Sequence, residues 1–217
     1  MVDFAAEREA MIDRTIRRRG LDGEALLAAF RAVPREAFIS AELAAHAYDD
    51  SPLPIESGQT ISQPYIVALT IDAAGIGAQD KVLEIGAGSG YAAAVIGQVA
   101  REVIAIERHH ELVELAQGRM RRLGYGNVRI VEGDGTRGWP SEAPFDAIVA
   151  AASGSHVPPV LIGQLNPGGR IVMPVGDPHS VQSLVKVTKR GDGSTEREDL
   201  GAVRFVPLIG EHGFPGQ

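Results

Sequence analysis

Apolar positions along the chain change their period twice, and the changes divide it into three stretches. In the first, Phe4, Met11, Ile12 and Ile16 recur at helical spacing and Gly20 follows as a stop, which predicts an amphipathic helix from Phe4 to Arg19. Asp22 is positioned to cap a second helix over Glu24 to Val33, closed by Pro34, and Ala41 to Ala47 suggests a third. Tyr48 to Gly58 collects aspartate, serine, proline and glycine and predicts a long irregular segment. Ser62 then precedes Gln63, Pro64 and an apolar run, Ile66, Val67, Leu69 and Ile71, that ends near Gly75. This predicts a helix capped by Ser62, with Pro64 in its first turn and free amides that form an anion site.

From Lys81 onward, short apolar runs alternate with helical patterns. Strands are expected at 81–85, 103–106, 128–131, 146–150 and 170–174, with helices at 91–100, 110–122 and 158–165. Such alternation predicts an α/β fold, a doubly wound, Rossmann-like parallel sheet. In the third stretch, Val181 to Thr188 and Ala202 to Leu208 flank a turn-rich connection and predict a terminal antiparallel pair. At 217 residues the chain fits one domain, with a helical and loop extension over 1–57 and a core over 58–217.

Ligands of such sheets lie beyond the carboxyl ends of the strands, and candidate chemistry concentrates there. Val82-Leu83-Glu84-Ile85-Gly86-Ala87-Gly88-Ser89-Gly90 delivers an acid into a turn with glycine at alternate positions. Gly86, Gly88 and Gly90 allow a ligand to approach the main chain closely. A carboxylate at Glu84 would oppose a dinucleotide pyrophosphate but suits the donors of a nucleoside that carries a cationic sulfonium and no phosphate. The expected cofactor is therefore S-adenosylmethionine rather than a nicotinamide dinucleotide. Glu107, after the second strand, is placed for ribose hydroxyls. Asp134, between Gly133 and Gly135, either accepts from an adenine amino group or shapes a plain tight turn.

Composition narrows the partners. The net charge of -7 argues against nucleic acid or an anionic membrane as a partner, and Arg14, Arg17, Arg18 and Arg19 fit the solvated face of the first helix. There is no cysteine, and the adjacent His109 and His110 point in different directions, so no metal site is expected. Asp3, Glu7 and Glu9 precede any apolar run, which suits a cytoplasmic protein with neither signal peptide nor membrane span. A monomer is the expectation.

Over nearly its whole length the sequence resembles the protein-L-isoaspartate O-methyltransferase family. The resemblance is carried by Arg18-Arg19-Gly20, Val33 to Phe38, Tyr48 to Ile55, Gly58-Gln59-Thr60-Ile61-Ser62-Gln63-Pro64, the turn around Gly88 and Gly133-Asp134-Gly135. Pro144 to Ile148, Leu165 to Arg170, Pro174-Val175-Gly176 and Arg204 to Leu208 complete it. It implies a methyltransferase sheet with its last two strands exchanged, and methylation of the free α-carboxylate of isoaspartyl residues in damaged proteins and peptides. It also implies that Ser62 is catalytic, that Gln59, Thr60 and Gly135 join the cofactor site, and that Ile61 and Val206 lie beside Ser62 at the substrate. Two places depart from the family pattern: Glu56 stands where many members carry glycine, and Ser153 to His156 replaces a more proline-rich segment. Both are expected near the substrate mouth, where a carboxylate at position 56 would disfavour acidic peptides. The rival readings are a related methyltransferase acting on another peptide acid and a nicotinamide-dependent oxidoreductase.

Overall fold

The computed structural model describes residues 2–216. Asp3 accepts hydrogen bonds from the amides of Ala5 and Ala6, both at 3.1 Å, and so starts α1 (Phe4–Met11). The helical path continues as a π-turn over Ile12–Ile16 and a 3-10 turn over Arg17–Arg19, and stops where Gly20 takes φ 89°. The predicted single helix is thus three kinds of turn in succession. α2 (Glu24–Ala32) begins after Gly23 rather than on an Asp22 cap, and Ala41–His46 forms a 3-10 turn. β1 (Leu53–Pro54), inside the stretch read as irregular, pairs antiparallel with β2 (Thr60–Ile61) just after it, a ribbon too short to show periodicity.

α3 (Pro64–Ala74) corrects the predicted cap. Its N-cap is Gln63, with no side-chain cap bond, and the carboxylate that serves the helix start comes from a distance. Asp50 accepts from the Tyr65 amide at 3.2 Å and from Gln63 Nε2 at 2.8 Å. It also pairs at 2.9 Å with Arg19, whose guanidinium lies 4.3 Å from the centre of the Tyr65 ring. The predicted anion site at this helix start is filled by the chain's own aspartate. Sequence periodicity carries no signal for a cap supplied fifteen residues upstream.

β3 (Lys81–Ile85), α4 (Tyr91–Gly97), β4 (Glu102–Glu107), α5 (His110–Leu123), β5 (Val128–Glu132), β6 (Phe145–Ala150), α6 (Pro159–Gly163) and β7 (Leu165–Val175) follow in the predicted alternation. β8 (Gln182–Lys189) and β9 (Thr195–Val203) complete one seven-stranded sheet in the order β5-β4-β3-β6-β7-β8-β9. The first five strands run parallel, and β8 is antiparallel to both β7 and β9. The last strand lies at the edge, so the three final strands stand in chain order. The expected second terminal strand at 202–208 shifts to β9, since Pro207 falls in a segment that makes a single parallel bridge to Ser153.

Strand residues alternate between two cores. Val82, Val103, Ala105 and Ala147 meet α3, α4 and the N-terminal helices, while Leu83, Ile85, Ile104 and Ile106 face Leu161 and Met173. Burying such side chains contributes about 1.5–3 kcal/mol each. β4 and β6 flank β3 on opposite sides, so the chain reverses its direction of travel there and leaves a crevice at the carboxyl ends. At the other end, Asp146 accepts from the Lys81 amide at 2.8 Å and Asn166 Nδ2 at 2.7 Å, fastening β3, β6 and β7 together.

Gly169 marks the tightest of these joints, because a Cβ there would lie 2.8 Å from the Asn166 carbonyl and 3.2 Å from the Asp146 carbonyl. Gly169→Ala is expected to lower stability by about 1–3 kcal/mol in urea unfolding. Gly163→Ala, with open space around it, should be neutral or slightly stabilising. Equal midpoints for the two variants would contradict this packing.

Candidate active site

Beyond β3 the chain turns through Gly86, Gly88 and Gly90, with φ of 87°, 52° and 86°. Only glycine adopts such angles in succession without strain. The turn is drawn against β4: Gly86 and Ala87 amides donate to the Ile106 carbonyl at 2.9 and 3.0 Å, and the Gly88 amide to Glu107 Oε2 at 2.9 Å. Glu107 Oε1 accepts from the amides of Arg108 at 2.7 Å and His109 at 3.0 Å. Of about four acceptor positions on a carboxylate, three are therefore occupied and one remains on Oε2. Gly90 lets the turn meet α5, because a Cβ would lie 2.9 Å from Met120 Cε.

These elements wall a cavity of about 740 Å³, within the range of small-molecule sites. Gly86, Gly88, Glu107, Gly133 and Gly135 line one side, and Gln59, Thr60 and Val206 face it. The cavity thereby brings together residues from five separate segments of the sequence. Thr60 is exposed, whereas Ile61 is 4% exposed, belongs to the core, pairs with Leu53 and lines neither cavity. The Val206 carbonyl accepts from the Ser153 amide at 2.8 Å, and the Leu208 amide donates to the Ser153 carbonyl at 2.8 Å. Ser153 is fully buried, so the first residue of the departing segment anchors the tail instead of facing solvent, while Ser155 and His156 are exposed.

Asp134, between two glycines that line the cavity, commits most of its acceptor positions to the chain itself. Its Oδ1 accepts from the Thr136 amide at 2.9 Å and hydroxyl at 2.6 Å, and its Oδ2 from the Glu211 amide at 2.8 Å. Burial alone would raise its pKa, but the Thr136 and Glu211 bonds outweigh it and hold the carboxyl below its usual range. The tail pinned in this way supplies a wall that sequence reasoning missed: Ile209, Phe214 and Pro215 line the cavity. His109 and His179 also line it unforeseen. The apolar run Pro207-Leu208-Ile209 was the available signal, but nothing in its period indicated a ligand-facing side.

Glu84 and Ser62 meet in a second, small cavity of about 30 Å³ with Ala150 and Phe205, and Ala151 lines both cavities. Its size suffices for a water molecule or a small polar group. Glu84 is 1% exposed, and its Oε2 has no hydrogen-bond partner. Burial, with the Glu107 charge as a lesser cause, pushes its carboxyl well above the usual carboxylate range. An orphaned buried acid beside a cavity suits a cationic or hydrogen-bond-donating ligand. The glycine cradle, the Glu107 acceptor and this acid fit S-adenosylmethionine. Among the described residues no cluster of potential metal ligands occurs, and no helix is long and apolar enough to cross a membrane.

Fold and site together define the class, a nucleoside-dependent methyltransferase. Comparison with known proteins makes this specific. The profile of the family described as Protein-L-isoaspartate(D-aspartate) O-methyltransferase matches residues 6–213. The chain is 54% identical over 211 residues to protein-L-isoaspartate O-methyltransferase 1 of Rhodopseudomonas palustris (strain HaA2), covering 97% of this chain and 86% of that one. It is 48% identical over 211 residues to the protein-L-isoaspartate O-methyltransferase of Methanoculleus marisnigri, covering 97% and 95%. A solved protein-L-isoaspartate O-methyltransferase superposes with TM-score 0.87 at 30% identity, over 95% of this chain and 67% of that one. A Plasmodium falciparum structure in complex with S-adenosyl-L-homocysteine gives TM-score 0.79 at 25% identity, over 96% and 99%. The chain belongs to the protein-L-isoaspartate (D-aspartate) O-methyltransferase family. It is a carboxyl methyltransferase with S-adenosylmethionine as donor, and the oxidoreductase reading is set aside.

The state of Glu84 generates a prediction. Its raised folded value means the unfolded chain gives up this proton first, so Glu84 detracts from stability as pH rises from the ordinary carboxylate pKa of about 4.3 to its folded value. A cationic ligand favours the ionised form, so donor affinity should increase with pH across the same window. Glu84→Gln is expected to be at least as stable as the parent near pH 8 yet to bind S-adenosylmethionine about 10–100-fold more weakly, with a flattened pH profile in calorimetry. An unchanged affinity and profile would remove Glu84 from the donor site.

Proposed function

We propose that this chain initiates repair of isoaspartyl sites through a two-part site in which the small cavity of Ser62 and Glu84 receives the reacting groups. The observation carrying this reading is that Ser62 shares a small cavity with an unpartnered buried acid, bounded by Ala151 of the larger cavity. In this reading Gly86, Gly88 and Gly90 cradle the cofactor, Glu84 accepts from its donors, and the free Oε2 position of Glu107 takes a ribose hydroxyl. Gly135 and the remaining acceptor position of Asp134 serve the adenine edge, with Gln59 and Thr60 closing the opposite side. Substrate main chain lies along Ile61, Ser62 and Val206. When bound, S-adenosylmethionine supplies an electrophilic methyl group.

No general base is required of the protein. The isoaspartyl α-carboxylate has a reference pKa of about 3.3–3.9 and arrives ionised. Ser62 donates a hydrogen bond to one carboxylate oxygen and so helps aim the other, a share of the total, on the order of 7 kcal/mol in favourable models, that complete positioning of both reactants supplies. Because Asp50 serves the helix start, the Ser62 hydroxyl is not spent on capping. Apolar walls from Ala150, Ala151 and Phe205 keep water away from the nucleophile, whose reactivity rises as its hydration is removed. The methyl ester loses methoxide far more readily than a carboxylate loses oxide, so the adjacent main-chain amide nitrogen attacks the ester carbonyl, methanol departs with the amide proton, and the succinimide closes; water reopens it partly to normal aspartate, away from the enzyme. We further propose that the extension over 1–57 and the core act as one domain, in a cytoplasmic monomer.

Ser62→Ala should bind S-adenosylhomocysteine nearly as the parent does while kcat/KM for an isoaspartyl peptide falls about 10–100-fold, the scale of one hydrogen bond to a charged group. Labelled methyl transfer alongside calorimetry separates the two effects. Turnover equal to the parent's would end the assignment of Ser62.

A further inference from the structure

Glu56 is the residue expected to repel acidic substrates, but its carboxylate faces inward. Oε1 lies 3.6 Å from Nη2 of Arg119, a residue of α5 that is 7% exposed. The Nη1 of the same guanidinium donates to the Ser89 carbonyl in the glycine turn at 3.2 Å. One buried cation therefore bridges the turn that cradles the cofactor and the segment that leads to Gln59, Thr60 and Ser62. Burial depresses the Arg119 pKa and the Glu56 charge acts to restore it, as expected of a pair that needs each other.

Two further contacts join the same elements. Ser57 Oγ donates to Glu111 Oε2, also on α5, at 2.8 Å. Ser57 takes φ 54°, the only positive φ outside glycine among the described residues, and such a conformation persists only where its surroundings impose it. Ile55 packs over the turn from above, its Cδ1 3.5 Å from where a Gly88 Cβ would be. Hydrogen bonds from the Ile55 amide to the Gln59 carbonyl, 2.9 Å, and from the Gln59 amide to the Glu56 carbonyl, 3.2 Å, make the segment a compact unit.

We infer that Glu56 and Arg119 form a latch that fixes the 55–61 segment over the glycine turn, so that both are positioning residues for cofactor retention and for the placement of Ser62. The inference rests on the proposed site, and it gives Glu56 a different role from substrate discrimination. An ion pair that is partly withdrawn from water couples its partners more strongly than an exposed one. The exposed pair of Arg31 and Glu24 at 3.5 Å offers the comparison, since Glu24 keeps 83% of its side-chain surface accessible and lies on α2.

The test compares Glu56→Gln, Arg119→Met, the double variant and Glu24→Gln by calorimetry with S-adenosylhomocysteine, amide exchange over 55–61 and steady-state methylation. Glu56→Gln and Arg119→Met should each weaken binding about 5–50-fold, with the double variant no worse than Arg119→Met alone. Amide exchange at Ile55 and Gln59 should accelerate in Glu56→Gln, KM for the donor should rise more than kcat falls, and Glu24→Gln should behave as the parent. Parent-like binding and exchange in Glu56→Gln would overturn the latch, as would additive losses in the double variant. Glu56 lies in a half-buried turn outside the core, so that variant decides the matter even if Arg119→Met fails to fold. Amide exchange reads the latch without turnover, so a parent protein inactive on isoaspartyl peptides would refute the function and leave the latch independently tested.

Discussion

Glu107 gathers three main-chain amides, those of Gly88, Arg108 and His109, onto one carboxylate. Hydrogen bonds to an ionised acceptor are the strong ones, and here they join the end of β4 to the glycine turn that follows β3. Two neighbouring strands alone would not fix that turn, because its glycines permit many conformations. The Ile106 carbonyl adds the amides of Gly86 and Ala87, so three contacts fasten the turn to the end of β4 while the Arg108 and His109 amides orient the Glu107 carboxylate. The α4 start at Gly90 and the segment packed above Gly88 both adjoin it.

The same arrangement forces a second carboxyl into a difficult place. Glu84 is carried by β3 into the interior next to a Glu107 that is already committed to amides. Two acids this close in a dry environment do not both hold their charge comfortably, and it is Glu84 that lacks partners. In a merely structural core this would be a defect. Beside Ser62 and a small cavity, the proposed function makes it a site prepared for a donor that arrives from outside, which would link an unfavourable term in folding to a favourable one in binding.

Much of this was legible in the sequence. The alternation after Lys81 indicated the sheet and, to within about a residue, the limits of β3 to β6 and β8, because parallel strands buried on both faces read as short apolar runs, whereas β7 starts earlier than expected and β9 is displaced. Glycine spacing and the acids at strand ends located the cradle, and Gln59, Thr60 and Val206 do border the cavity. What was not legible depended on contacts between distant positions. Asp50 replaces Ser62 as the support of α3, Ile61 turns its side chain into the core, and Asp134 holds the tail. The tail wall at Ile209, Phe214 and Pro215 and the inward turn of Glu56 likewise required three dimensions, since neither local propensity nor periodicity reports on them.

The central claim is that a cradle for S-adenosylmethionine and a pocket for a misplaced carboxylate are joined at Ala151. Labelled methyl transfer to two peptides identical except for isoaspartate or normal aspartate at one position tests it most directly. The account predicts transfer to the isoaspartyl peptide, saturable in S-adenosylmethionine, and negligible transfer to its normal counterpart. Equal labelling of both peptides, or of neither, would contradict it.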